Sequence, residues 1–201
     1  IGILDKIVFD IEEVGRPQPI NWNEGCKLET ISFGHGITTT ILQLAKGYSI
    51  IVNGGYDIKP TLIKKKKQNI KKIKILKNDV SKKINPILRK TVTEGTAGQV
   101  NVRGYQVGGK TGTAQQAIGK EYSNIKINTF ASIFPTDNPK YVLIIMLESP
   151  KTAKEYVYKY RNKKGSLKGT PFNTAGWTSV EVAGEIIEKI GPILATKYIE
   201  N

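Results

Sequence analysis

Residues that build metal sites and disulfide frameworks are almost missing from this sequence. It holds a single cysteine, Cys26, and a single histidine, His35. No intramolecular disulfide can form and no Cys/His cluster can hold an ion, so neither metal nor other cofactor is expected. Cys26 is read as a structural thiol. Acidic residues are scarce as well: 17 Asp and Glu against 31 Lys and Arg leave a net charge of +14. A basic surface draws phosphates whatever its sequence. Here, however, the cations are overwhelmingly lysine and arrive with many Ile and Asn, as A/T-rich codon usage produces, whereas the bidentate fork of arginine is the more diagnostic phosphate reader. A nucleic-acid binder is therefore a distant alternative, and no nucleic-acid partner is expected.

Long hydrophobic runs are absent too. The longest, Tyr141 to Leu147, is far short of the ~20 residues that span a bilayer, and no signal-peptide pattern opens the chain. The first residue is Ile rather than Met, and the sequence reads as a piece of something longer. With 201 residues, 39% of them apolar, a buried core belonging to one domain or to part of one is expected.

What is present falls into segments. Residues 1–35 are irregular, with "GRPQP" at 15–19 marking extended or turn structure because proline fixes its own φ and restricts its predecessor. From Thr38 the spacing of Ile41, Leu44, Ala45, Tyr48 and Val52 predicts a helix, with Thr38 available as its N-cap and "NGG" at 53–55 ending it. A short extended stretch, "KPTLIKK", is followed by lysine-rich text in which Ile70, Ile73 and Ile75 suggest a loop and an edge strand, and the "KKKK" run at 64–67 is a solvated turn. Val80, Ile84, Ile87, Leu88 and Val92 predict a second helix over 79–94, with a kink or a late start at Pro86. Three extended runs come next, 102–113, 128–134 and 140–148, the last two joined by the turn composition "PTDNPK" as an antiparallel hairpin. A polar loop over about 149–176 leads to a final helix carrying Val180, Ala183, Ile186, Ile187 and Ile190. Helices around a short run of strands make an α+β class, an antiparallel sheet of three strands within 102–148 packed by helices.

Within the first extended run stands "GGKTGTAQQ" at 108–116. On a strand, alternation places Lys110 and Gly112 on one face and Thr111 and Thr113 on the other. Bringing the ammonium and both hydroxyls to one ligand needs a twist or bulge, which glycines at 108, 109 and 112 permit. An ammonium followed by two hydroxyls suits a carboxylate or a phosphate, the charge from one and directional donors from the others. Residues 104–111, "GYQVGGKT", also fit the spacing of a Walker phosphate loop. That loop must run into a helix, and here it runs into polar text and Gly119, which argues against it.

Lys110-Thr111-Gly112 resembles the third signature of penicillin-binding proteins and serine β-lactamases. The segments "SFGHGITTTILQLAKGYSIIVNGG", "LRKTVTEGTAG", "ASIFPTDNPKYVLIIMLESPK" and "TAGWTS" are similar to those of class B penicillin-binding proteins and stand in the same order over essentially the whole chain. Within that class the division-specific peptidoglycan D,D-transpeptidase is most similar, the elongation-specific one next. The resemblance implies a penicillin-binding, β-lactamase-like transpeptidase fold in which residues 1–201 form a single partial domain, the C-terminal portion, with the upstream half missing.

The chemistry it implies is a serine that attacks the D-Ala-D-Ala end of a peptidoglycan stem peptide, releases D-Ala and passes the acyl group to a neighbouring amine. β-Lactams imitate that donor. Lys110 would set electrostatics and proton traffic, Thr111 and Thr113 would bind the substrate carboxylate with Gly112 allowing close approach, and the backbone N–H of Thr113 would be one oxyanion-hole donor, a group typically worth ~3 to 4 kcal/mol. The family's S-x-x-K and S-x-N elements lie upstream of K-T-G, and neither stands there in this sequence. "SNIK" at 123–126 and "YSN" at 122–124 overlap, follow the third motif and are expected in a polar loop, so Ser123 and Lys126 are read as decoys. Without a nucleophile this chain alone is expected to be inactive.

The implied partners are stem peptides, β-lactams, the missing half of the domain and divisome proteins, and the implied location is the periplasmic face of the bacterial inner membrane, although no anchor is seen. A non-catalytic penicillin-recognising or scaffold remnant is the alternative. His35, at a position the family fills with an aromatic, is expected to be structural. Trp22 and Trp177 are expected to be packing residues, Trp177 near the cleft only by analogy.

Overall fold

A computed structural model describes residues 1–10, 17, 20, 22, 25, 27–32, 34, 36–64, 70–118, 121–161, 163–169 and 172–199. Cys26, His35 and Lys65 to Lys67 lie outside the described residues. The chain divides into two compact units, Ile1–Ser81 and Lys82–Asn201.

The first unit holds a short helix α1 (Lys27–Ser32), a longer helix α2 (Ile41–Val52), and strands β1 (Tyr56–Ile58) and β2 (Lys72–Lys74). The N-cap of α2 is Thr40, not Thr38. Its hydroxyl accepts from the Gln43 N–H at 3.2 Å while the Gln43 side chain accepts from the Thr40 N–H at 3.0 Å. This capping box needs Gln three residues on, a pairing Thr40 has. Gln43 is then buried, with Gly47, Ile50 and Val52. Ile41, placed on the buried stripe by periodicity, is 45% exposed. The helix ends at Asn53, and Gly54 and Gly55 follow with left-handed φ of 93° and 88°, conformations a side chain would resist. β1 and β2 pair antiparallel, Asp57 opposite Ile73, and β2 is exposed throughout as the lysine-rich edge it was expected to be. Trp22, expected to pack, is 60% exposed.

Helix α3 (Asn78–Thr93) starts before Pro86 and keeps it in its interior, so the late start is not seen. In the second unit its last turns bury Leu88 and Val92. A 3-10 turn at Gly98–Val100 precedes the sheet: β3 (Gly108–Ile118), β4 (Glu121–Phe134) and β5 (Tyr141–Glu148), antiparallel in that order. The expected strand at 102–107 is irregular chain, whereas β4 begins at 121. Ser123–Lys126 therefore lies on a strand and not in a loop. A second register constraint explains the extension: Ala117 and Ile118 pair with Tyr122 and Glu121, closing a hairpin over polar text that alternation alone could not recommend.

The stretch read as plain loop contains a small hairpin, β6 (Val157–Lys159) and β7 (Ser166–Lys168), and a 3-10 turn at Ala175–Trp177. Helix α4 (Ser179–Ile199) follows. The core lies between the sheet and α4: Val92, Val100, Val107, Phe130, Val180, Ala183 and Ile187 are fully buried, each large apolar side chain contributing about 1.5–3 kcal/mol.

Candidate active site

Arg89 on α3 fixes the entry to β3. Its guanidinium donates to the Val107 carbonyl at 2.6 Å and the Asn101 side chain at 2.9 Å, and burial pushes its pKa below the usual arginine range. Gly108 and Gly109 then cross tightly packed ground. A Cβ at Gly109 would lie 2.5 Å from the Ala131 carbonyl oxygen and 2.6 Å from the Phe130 ring. Gly109 serves close packing of β3 on β4, whereas a Cβ at Gly108 would meet the Thr136 side chain at 2.5 Å and the α3 backbone at Arg89 and Leu88 at 3.0 Å.

β3 is the edge of the three-stranded sheet, with Lys110, Thr111, Gly112 and Thr113 opposite Ala131, Phe130, Thr129 and Asn128. Its outer side keeps every second N–H and C=O unclaimed by the sheet. Regular pleat holds through the motif, because the register shift comes later, between Gln115 and Ala117. Thr111 and Thr113 consequently share a face, and both line a cavity of about 450 Å³. Lys110 and Gly112 project from the opposite face and do not border that cavity. Lys110 is exposed, its Nζ donating to the Thr111 carbonyl at 2.7 Å.

The rest of the cavity wall comes from three places. Gly95, Thr96, Gly98 and Gln99 follow α3, Tyr160 and Lys163 belong to the β6–β7 connection, and Thr174, Gly176 and Trp177 precede α4. The Thr96 and Thr111 hydroxyls are 2.9 Å apart. One donates to the other, leaving a hydroxyl proton directed elsewhere. Thr113 Oγ1 accepts from the Ala175 N–H at 3.0 Å and keeps its own proton to give. Beneath them the fully buried Asn128 donates to Asn173 at 3.0 Å and Thr178 at 2.9 Å, tying the 3-10 turn to the sheet. The result is a concave wall of hydroxyl donors with a cation, Lys163, on its border: a receptor for an anionic group.

Sequence reasoning did not assign Thr96, Gln99, Tyr160 or Lys163. The small-residue text "EGTAG" after α3 was the available sign for Thr96; nothing in the loop text marked Tyr160 or Lys163. Trp177 reaches the cavity as analogy suggested and packs edge-on against Tyr158, centroids 5.4 Å apart. Ser123 donates to the Gln116 carbonyl at 3.0 Å and accepts from the Ile125 N–H at 3.2 Å, while Lys126 donates to the Asn173 carbonyl at 3.2 Å. Both are engaged with main chain.

The edge strand of the antiparallel sheet thus carries Lys110-Thr111-Gly112 beside a hydroxyl-lined cavity. Residues 1–168 match the penicillin binding protein transpeptidase domain, and the chain belongs to that family. Within it the chain is similar to division-type proteins of class B. It is 30% identical to the probable peptidoglycan D,D-transpeptidase FtsI of Caulobacter vibrioides, over 98% of this chain and 33% of that protein. It is 32% identical to penicillin-binding protein PbpB of Mycolicibacterium smegmatis, over 71% of this chain and 25% of that protein. The apo transpeptidase domain of Burkholderia pseudomallei penicillin-binding protein 3 shares the fold with a TM-score of 0.75 at 22% identity, over 96% of this chain and 54% of that one. The chain thus spans a third or less of these curated relatives and about half of that domain.

Proposed function

We propose that this chain supplies the K-T-G wall of a septal peptidoglycan D,D-transpeptidase, with residues 1–201 as the C-terminal portion of the catalytic domain. The observation that carries the reading is the convergence of Thr111 and Thr113 on one cavity from an edge strand, with Lys110 on the opposite face. In this reading the hydroxyls of Thr111 and Thr113 hold the carboxylate of a stem peptide or β-lactam. Gly112, without a side chain, lets the ligand backbone pair with the strand edge. The Thr113 N–H donates to the oxyanion as the serine adds to the carbonyl, where charge develops in the transition state. Lys110 meets the nucleophile from its own face and helps to carry the proton to the departing D-Ala amine. The acyl group then passes to an acceptor amine.

The serine itself comes from residues other than these 201, in an S-x-x-K upstream. In this reading Ser123, whose hydroxyl donates to the Gln116 carbonyl on β3 and accepts from the Ile125 N–H on β4, has a main-chain role and is not the nucleophile. No described helix is long and apolar enough to cross a membrane. The place of action, the outer face of the cytoplasmic membrane beside other division proteins, is part of the proposal.

Labelling the full-length protein with a fluorescent penicillin tests this. The expected result is one adduct on an upstream S-x-x-K serine, slowed by Thr111→Val, and none on the 201-residue chain alone. An adduct mapped to Ser123 would overturn the assignment, and no adduct on the full-length protein would make the chain part of a non-catalytic scaffold.

A further inference from the structure

We propose that the β6–β7 hairpin is a specificity arm of the cavity, with Lys163 and Gln99 receiving a second carboxylate on the acyl donor and Arg161 as the positioning residue. The inference rests on the transpeptidase reading and deepens it. Two residues of the hairpin, Tyr160 and Lys163, line the same cavity as Thr111 and Thr113. The Lys163 ammonium sits 4.4 Å from the centroid of the Tyr160 ring, which orients it without neutralising its charge. Among the described residues no carboxylate is paired with it.

Gln99 borders the cavity too. It is 6% exposed, and its buried Nε2 has no hydrogen-bond acceptor. A buried amide donor without a partner is costly and rare. A cation and an unclaimed donor beside a cavity that already holds hydroxyls for one carboxylate are the chemistry of a second one.

A three-residue strand pair would not hold such an arm in place by itself. Arg161 does. Its guanidinium, 6% exposed, donates to Glu181 at 2.9 Å, Glu185 at 2.6 Å and Glu188 at 3.0 Å, all on α4, and to the Gln99 carbonyl at 2.7 Å. One side chain thereby fixes the hairpin to α4 and to Gln99, which borders the cavity. Gly184 makes room for it, since a Cβ there would lie 2.7 Å from Arg161 Nη1. Tyr158 adds a bond from its hydroxyl to the Trp177 carbonyl at 2.7 Å, and Trp177 is itself a cavity wall.

The test compares acylation rates of the full-length protein by two penicillins that differ only in a side-chain carboxylate or its carboxamide. The wild type is expected to favour the carboxylate about two- to fivefold at low salt, the size of a partly exposed ion pair, and less as salt rises. Lys163→Gln should level the two rates and Lys163→Glu invert them. Arg161→Gln should lose the preference while still reacting with the carboxamide, which separates positioning from general damage. If that variant does not fold, the exposed Lys163 substitutions decide alone. A wild type without preference, or a preference that survives Lys163→Gln, overturns the proposal while leaving the transpeptidase reading intact. Failure of both penicillins to acylate removes that reading and this one with it.

Discussion

Thr111 and Thr113 stand two residues apart on one strand face, yet their hydroxyls have different second duties, and this separates what their loss would do. Among the described residues, Thr111 shares its hydroxyl only with the exposed Thr96. Thr111→Val should therefore slow acylation of the full-length protein about 10- to 100-fold, the worth of a hydrogen bond to a charged group, with little change in urea midpoint. Thr113 also accepts from the Ala175 N–H. Thr113→Val should slow acylation similarly and cost a further ~1–2 kcal/mol of stability through the orphaned donor. Equal midpoints for the two variants would contradict that division. Gly109 makes the complementary case, since its Cβ space is filled by Ala131 and Phe130. Gly109→Ala should cost about 1–3 kcal/mol in urea unfolding, because the backbone must move. The alternation of Lys110 and Gly112 against Thr111 and Thr113 was legible in the sequence because a strand has a fixed period. The Thr96 partner was not, because it depends on how a loop of small residues closes.

Elements show the same split between period and contact. Helix α4 was readable from Val180, Ala183 and Ile187, all fully buried, since helical spacing is printed in the sequence. The β6–β7 hairpin was not. Its strands are three residues each, and what holds it is an arginine bonded to a carbonyl 62 residues away. Burial would lower the Arg161 pKa, but the carboxylates of Glu188 and Glu181 outweigh it and the guanidinium is held above its usual range. Arg161→Gln should cost about 3 kcal/mol by leaving Glu181, 7% exposed, without its cation. Equilibrium unfolding of the chain measures this directly. Tyr156, at the base of the hairpin, donates to Glu181 at 3.0 Å. Burial first, then that bond and the charges of Glu181 and Glu185, push its pKa up to about 12. A raised phenol pKa favours the folded state fully below the unfolded value of about 10 and progressively less as pH rises from 10 to 12. Stability should thus decline across that alkaline window, and Tyr156→Phe should flatten this part of the profile. An unchanged slope in the variant would show that another group titrates there.

At the scale of the whole molecule, stability should be unevenly distributed between the two compact units. The second unit encloses a continuous apolar cluster from Val92 to Ile187, with β4 paired on both sides and Phe130 and Ile133 fully buried. The sheet of the first unit has only two strands of three residues, and every residue of β2 is exposed. Its surface shows Leu62 at 69%, Ile63 at 66% and Ile73 at 54% exposure. Two-stranded sheets are marginal in water, and opening free energies range from near zero for such elements up to the global value for core strands. Amide exchange on the 201-residue chain should therefore be slowest along Phe130–Ile133 and Val180–Ile187 and fast along Tyr56–Ile58 and Lys72–Lys74. In the full-length protein, if the remaining part of the domain packs on the first unit, protection at β1 and β2 should rise while that of β4 changes little. Equal protection of β2 and β4 in the chain alone would mean that something other than buried apolar area sets local stability here.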